Sequence, residues 1–197
     1  MKRESTLLNM VVVLLAITLV SGLSLGYVNE LTAAPKARAQ LARKVNALQL
    51  VLPSYTNDPV GEVRLLHWEG VRDRIEVYPA YQDSAFVGAA VTGLSEMGYS
   101  GPVRLLVGFQ PDGTLRNISV LEQKETPGLG TRMKDDRFLQ QFAGKNPAQF
   151  DLRVRKDGGD VDALAGATIS TRAFAEATRQ AYEVYLANTG NLKEPEK

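Results

Sequence analysis

The chain of 197 residues contains no cysteine and a single histidine, His67. The first absence excludes disulfides, a thiolate nucleophile and a cysteine-ligated iron–sulfur cluster within the chain. The second excludes a histidine-rich metal site. If such a chain moves electrons, it does so with an organic cofactor. An excess of charge is also missing: 23 basic and 22 acidic residues leave a formal net charge of +1. No extended basic surface follows from that balance, so nucleic acid is excluded as an expected partner. The hydrophobic fraction of 44% and charged fraction of 23% are those of a folded protein.

Charge is also absent locally. Residues 5–29 carry none, and 10–28 read MVVVLLAITLVSGLSLGYV. A membrane-spanning helix needs about 20 apolar residues, and this run supplies them. A signal-peptide core has roughly 7–15, so an uncleaved anchor over residues 1–29 is the expectation. The flanking charges conflict. Lys2 and Arg3 favour a cytoplasmic N-terminus, whereas Lys36, Arg38, Arg43 and Lys44 pull the other way. Gly22 and Gly26 lie four apart, a spacing that is common in membrane helices and also allows close approach of a second helix.

Residues 30–53 predict a juxtamembrane helix, with Leu41, Val45, Leu48 and Val51 at helical spacing, Pro35 near its start and Pro53 closing it. A folded domain is expected over 54–190, followed by a tail over 191–197. Its strands are predicted at 74–78, 85–91, 103–109, 114–121 and 151–155. The turn Gln110-Pro111-Asp112-Gly113 joins two of these as a β-hairpin. A short helix is predicted at 135–141, and a long one at 170–188 with Gly190 as its stop. The expected fold class is α+β: an N-terminal transmembrane helix, then one domain with a mostly antiparallel sheet and flanking helices.

Two segments carry potential chemistry. In Glu125-Thr126-Pro127-Gly128-Leu129-Gly130 the glycines permit a ligand to approach the backbone; a plain tight loop has the same composition. In Asp162-Ala163-Leu164-Ala165-Gly166-Ala167-Thr168-Ile169-Ser170-Thr171 the small neighbours of Thr168 leave its hydroxyl open to a bulky group. The helix start that follows favours a phosphate; Ser170 or Thr171 also fits a simple N-cap.

These segments, together with Gly98-Tyr99-Ser100-Gly101-Pro102 ahead of the hairpin, resemble the FMN-binding domain shared by the RnfG and NqrC subunits of bacterial ion-pumping respiratory complexes. The resemblance runs from the anchor to the last helix. It implies FMN bound covalently, through a phosphoester, to Thr168. It implies cofactor contacts from Gly166, Ala167, Glu125, Thr126, Leu129 and Gly130. Tyr99 is either a flavin-stacking residue or a structural tyrosine. Asp162 is either a recognition residue for an attaching enzyme or a turn carboxylate. One departure stands out: Ala165 occupies a position where the family usually has Ser or Thr.

The implied function is electron transfer within an Rnf-type complex coupling ferredoxin and NAD to ion transport. The domain would lie on the extracytoplasmic side of the bacterial inner membrane. The implied partners are the other membrane subunits and an ApbE-like, Mg²⁺-dependent flavin transferase. An NqrC-type subunit, a stand-alone FMN-domain reductase and a non-redox membrane-anchored binding domain are the alternatives.

Overall fold

The computed structural model describes residues 6–71 and 73–192; Lys2, Arg3 and positions 193–197 of the expected tail lie outside the described residues. The chain divides into two units, Met1–Arg43 and Lys44–Lys197.

The first helix, α1, runs over Leu7–Val51. The predicted anchor and juxtamembrane helix form one continuous helix. Pro35 lies inside it rather than at a start. Proline forfeits one backbone hydrogen bond there. The alanines at 33, 34, 37, 39 and 42, the strongest helix formers, surround that gap and carry the helix through it. Within α1 an apolar stretch is long enough to cross a membrane, and none of it is buried. Its Thr18 hydroxyl folds back onto the Leu15 carbonyl at 3.0 Å, which satisfies the polar group inside the helix itself.

The second unit is built on a sheet of five antiparallel strands in the order of the sequence. They are β1 (Arg64–Leu66), β2 (Ile75–Gln82), β3 (Ala85–Ser95), β4 (Val103–Phe109) and β5 (Leu115–Glu122). The hairpin between β4 and β5 forms as its turn sequence predicts: Gly113 N–H donates to the Gln110 carbonyl at 2.9 Å, and Gly113 adopts φ +84°.

Both faces of the sheet are covered. The last turns of α1 bury Ala47, Leu48 and Val51 against Tyr78, Ala80, Ala90 and Leu106. An ionic contact fixes this packing. Lys44 Nζ donates to both oxygens of Glu76 at 2.9 Å, and the Tyr78 hydroxyl donates to Glu76 Oε2 at 2.7 Å. Burial, reinforced by that carboxylate, raises the Tyr78 pKa above its ordinary value. The opposite residues of the same strands, Val77, Val91, Leu105 and Val107, enter the main core. Such strands read as apolar runs because both side-chain directions are buried.

The main core is closed by α2 (Asp136–Leu139) and α3 (Thr168–Leu192). Phe174 of α3 meets Phe138 and Phe142 with ring centroids 5.1 Å away in each case, and Tyr185 stacks on Phe109 at 4.7 Å. Residues 151–155 do not form the expected strand. Leu152 and Val154 are buried with the alternation of one, but Val154 makes only an isolated parallel bridge to Val161. A 3₁₀ turn, Arg155–Asp157, follows at once. The apolar residues anchor a loop to the core and have no strand to pair with. Gly190 does not stop α3, which continues to Leu192. That residue is buried, and its carbonyl accepts a 2.8 Å bond from the Tyr81 hydroxyl.

Phe174 is fully buried among aromatic rings, so Phe174→Ala is expected to cost about 3–5 kcal/mol of folding stability. Denaturant unfolding of the detergent-solubilised chain measures it. The same truncation at exposed Leu50 should stay within about 0.5 kcal/mol.

Candidate functional site

The loop that follows Val161 reaches α3 through Gly166, which adopts φ +75°. Ala167 then occupies the N-cap position and Thr168 begins the helix. This start lies two residues before the predicted one, so Ser170 and Thr171 sit inside the first turn and neither is the N-cap. Thr171 clamps the loop from within: its hydroxyl donates to the Ala167 carbonyl at 2.9 Å and accepts from Leu164 N–H at 3.1 Å. An alanine at the cap supplies no oxygen to the first free N–H groups of the helix. The positive end of α3 therefore keeps its capacity for an anion.

Three loops meet at this helix start, and Glu125 ties them together. The residue is 4% exposed. Oε1 accepts the Ser100 backbone N–H at 3.2 Å, and Oε2 accepts the Ser170 hydroxyl of α3 at 2.7 Å. Two glycines make room for it. A Cβ at Gly130 would stand 2.6 Å from both Glu125 Cβ and Ser170 Oγ; one at Gly98 would stand 2.8 Å from Glu125 Oε1 and 2.1 Å from the Gly101 carbonyl. Neither position tolerates a side chain without opening the junction.

Between the loops lies a cleft of about 560 Å³. Its polar wall includes Glu125, Thr126 and Ser170, with the half-buried Thr168 at the helix start. Its apolar wall is formed by Tyr99, Leu129 and Ile169, which are 69%, 43% and 46% exposed. Large apolar side chains held this open beside polar groups mark a binding surface. Gly130, Gly166 and Ala167 form backbone-rich parts of the lining. Lys156 completes it. The turn bearing Lys156 is pinned to α3 by Arg172, whose Nε and Nη2 each donate to Asp157 at 2.7 Å. Those bonds hold the Asp157 carboxyl below the usual carboxylate range and raise the Arg172 guanidinium above its own.

Of the nine residues singled out in the sequence, eight line this one cleft: Tyr99, Glu125, Thr126, Leu129, Gly130, Gly166, Ala167 and Thr168. Asp162 does not. It is exposed and forms an ion pair with Arg155 at 2.8 Å, while its backbone N–H donates to Gln141 Oε1 at 2.8 Å. Three wall residues escaped the sequence reading as cofactor contacts: Ser170, read only as a possible N-cap, Ile169 and Lys156. Ile169 lay within the quoted motif, so its signal was present. Lys156 follows directly on the strand predicted at 151–155, and only the pinning of its turn by Arg172 connects it to the cleft.

Comparison with known proteins bears on the same segments. The FMN-binding domain family matches residues 98–183. The RnfG protein of the ion-translocating oxidoreductase complex of Cereibacter sphaeroides is 33% identical over 186 residues, covering 90% of this chain and 84% of that protein. Its counterpart in Pseudomonas aeruginosa is 34% identical over 183 residues, covering 86% and 84%. Among solved structures, Shewanella oneidensis NqrC shares the fold with a TM-score of 0.50 at 20% identity, covering 75% of this chain and 73% of that one.

The junction at Glu125 has a direct test. Gly130→Ala forces a Cβ into it and is expected to destabilise the folded chain by about 1–3 kcal/mol. Ser170→Ala removes one donor from the buried carboxylate, at a cost of about 1–3 kcal/mol. Shifts in the denaturation midpoint measure both; unchanged midpoints would show that the three loops are held by other contacts.

Proposed function

The chain belongs to the RnfG family of ion-translocating oxidoreductase complex subunits, and from that premise we propose that it is the membrane-anchored electron-transfer subunit of an Rnf-type complex, with FMN bonded through its phosphate to Thr168. The observation that carries this reading is the position of Thr168. It is a half-buried hydroxyl at an uncapped helix start, on the wall of a cleft lined by three sequence segments.

The cleft suits such a group in size and chemistry. Ligand sites commonly enclose about 300–1,000 Å³ with mostly apolar walls and a few polar groups. Tyr99, Leu129 and Ile169 offer surfaces for a flat ring. The first turn of α3 offers N–H donors to a phosphate. Thr126, Gly130, Gly166 and Ala167 allow the connecting chain to run close to the backbone. Ala165, the departure from the family pattern, is exposed and is not among the residues lining the cleft. The missing hydroxyl leaves the walls as they are. FMN, when bound, supplies the electron-accepting and electron-donating chemistry that no side chain here provides.

Thr168 is the acceptor of a modification and not a catalyst. Among the described residues its hydroxyl has no hydrogen-bonded base to activate it. A separate Mg²⁺-dependent flavin transferase of the ApbE type is therefore part of the proposal. The Thr168 Oγ1–phosphorus bond forms as the diphosphate bond of FAD breaks; AMP departs and the hydroxyl proton is released. Asp162, exposed and outside the cleft, is available to such an enzyme from the surface.

The anchor gives the chain a single membrane attachment, and we place the domain on the extracytoplasmic side. A covalent tether prevents loss of a cofactor where free FMN is scarce. This placement overrides the flanking charges, where Lys36, Arg38, Arg43 and Lys44 follow the span. The other membrane subunits of the complex are the expected partners. The relatives in sequence are RnfG proteins, which favours that assignment over an NqrC-type subunit.

Co-expression with a flavin transferase, followed by denaturing electrophoresis, tests the attachment. The wild-type band is expected to fluoresce and the Thr168→Val band to be dark. A fluorescent Thr168→Val band would refute attachment at this residue, and a dark wild-type band would favour a non-redox binding domain.

A further inference from the structure

Four cations cluster around the turn that follows Leu152, and three of them are committed. Arg153 donates to Asp151 at 2.6 Å, Arg155 pairs with Asp162 at 2.8 Å, and Arg172 makes its two bonds to Asp157. Among the described residues Lys156 has no carboxylate partner, and it is the basic side chain that lines the cleft. The neighbouring Asp157 does not compete for it, because both of its oxygens face Arg172. The free ammonium thus shares a cleft with Thr168 and with the uncapped start of α3.

From this arrangement we infer that Lys156 is the phosphate-binding cation of the flavin site, and that it makes the site select phosphorylated flavin over the same ring system without phosphate. The inference rests on the cofactor reading above and names the residue that supplies its charge recognition. The helix start contributes only partial charge and N–H donors. A lysine adds a full charge on a flexible stem, suited to a phosphate whose own geometry is set elsewhere. Lys156 is exposed, so its effect is salt-dependent. Its side chain touches the anion and not the ring, so its removal separates the two affinities.

The test uses the full chain in detergent, produced without a flavin transferase and titrated with FMN and with riboflavin by fluorescence quenching. The wild type is expected to prefer FMN. Lys156→Gln should lose about tenfold in FMN affinity, the scale of one charge-assisted hydrogen bond, with riboflavin binding unchanged. Lys156→Arg should keep the preference, and added salt should erode it in the wild type more than in Lys156→Gln. Unaltered FMN affinity in Lys156→Gln, or equal weakening of both flavins, overturns the inference.

Phosphorus NMR of the flavinylated chain provides a second readout that does not depend on free flavin binding. Lys156→Gln should shift the resonance of the attached phosphodiester and leave the flavin absorption spectrum in place. An unmoved resonance overturns the inference while leaving the cofactor reading intact. A wild-type chain that takes up no flavin by either route overturns both.

Discussion

The site depends on the desolvation of one carboxylate. Glu125 is 4% exposed, and a buried carboxyl group is tolerated only where hydrogen bonds replace its water. Here they come from two directions, the Ser100 backbone and the Ser170 hydroxyl. One donor belongs to the loop before β4 and the other to the first turn of α3, while Glu125 itself lies in the loop after β5. Meeting the needs of that group therefore brings together three segments that lie far apart in the chain. The glycines at 98 and 130 set how closely they come. The cleft is the space left on the outer side of this junction.

The same constraint explains how an ordinary core helix comes to present its start to the cleft. The body of α3 is held by Phe174 and Tyr185 against aromatic neighbours on both sides of the core. Its first turn is held by Ser170 on Glu125 and by Thr171 on the loop ahead of it. These contacts fix the turn that Thr168 begins, on the cleft it shares with Tyr99 and Leu129. Precision of this kind favours a site whose supporting residues are themselves locked by packing and hydrogen bonds.

Much of this was legible in the residues, and the failures have definite causes. Strands buried on both faces appear as apolar runs, and the Pro-Asp-Gly turn marks its hairpin, so four of the five strands could be read directly; the three-residue β1 has too little pattern to show. Leu152 and Val154 show the same alternation as a strand, because a loop pinned to a core buries alternate residues too; only the lack of a partner strand separates the two cases. Pro35 and Gly190 carry strong local preferences that neighbouring alanines in one case, and the buried Leu192 in the other, outweigh. Lys156 was illegible for a different reason. Its relation to the cleft runs through the Asp157–Arg172 pair, between residues 15 positions apart on different elements, and no periodicity records such a contact. Asp162 is the converse: it belongs to the motif in sequence, yet its side chain turns away to Arg155.

The electrostatics of the site are accordingly local. A chain with a net charge of +1 exerts no useful long-range pull on an anion. Around the cleft, however, acidic and basic groups are sorted by distance. The nearby arginines are each matched by an aspartate, at 2.6 to 2.8 Å, and the Glu125 carboxylate is turned inward onto its donors. Among the described residues, the positive groups at the cleft without a carboxylate salt-bridge partner are the start of α3 and Lys156. Each matched pair is close to neutral as a unit, so the pairs add little net charge at the site. An anion there would respond to the helix end and one lysine. A near-neutral protein can in this way hold an anionic group firmly without acquiring a basic surface that would attract others.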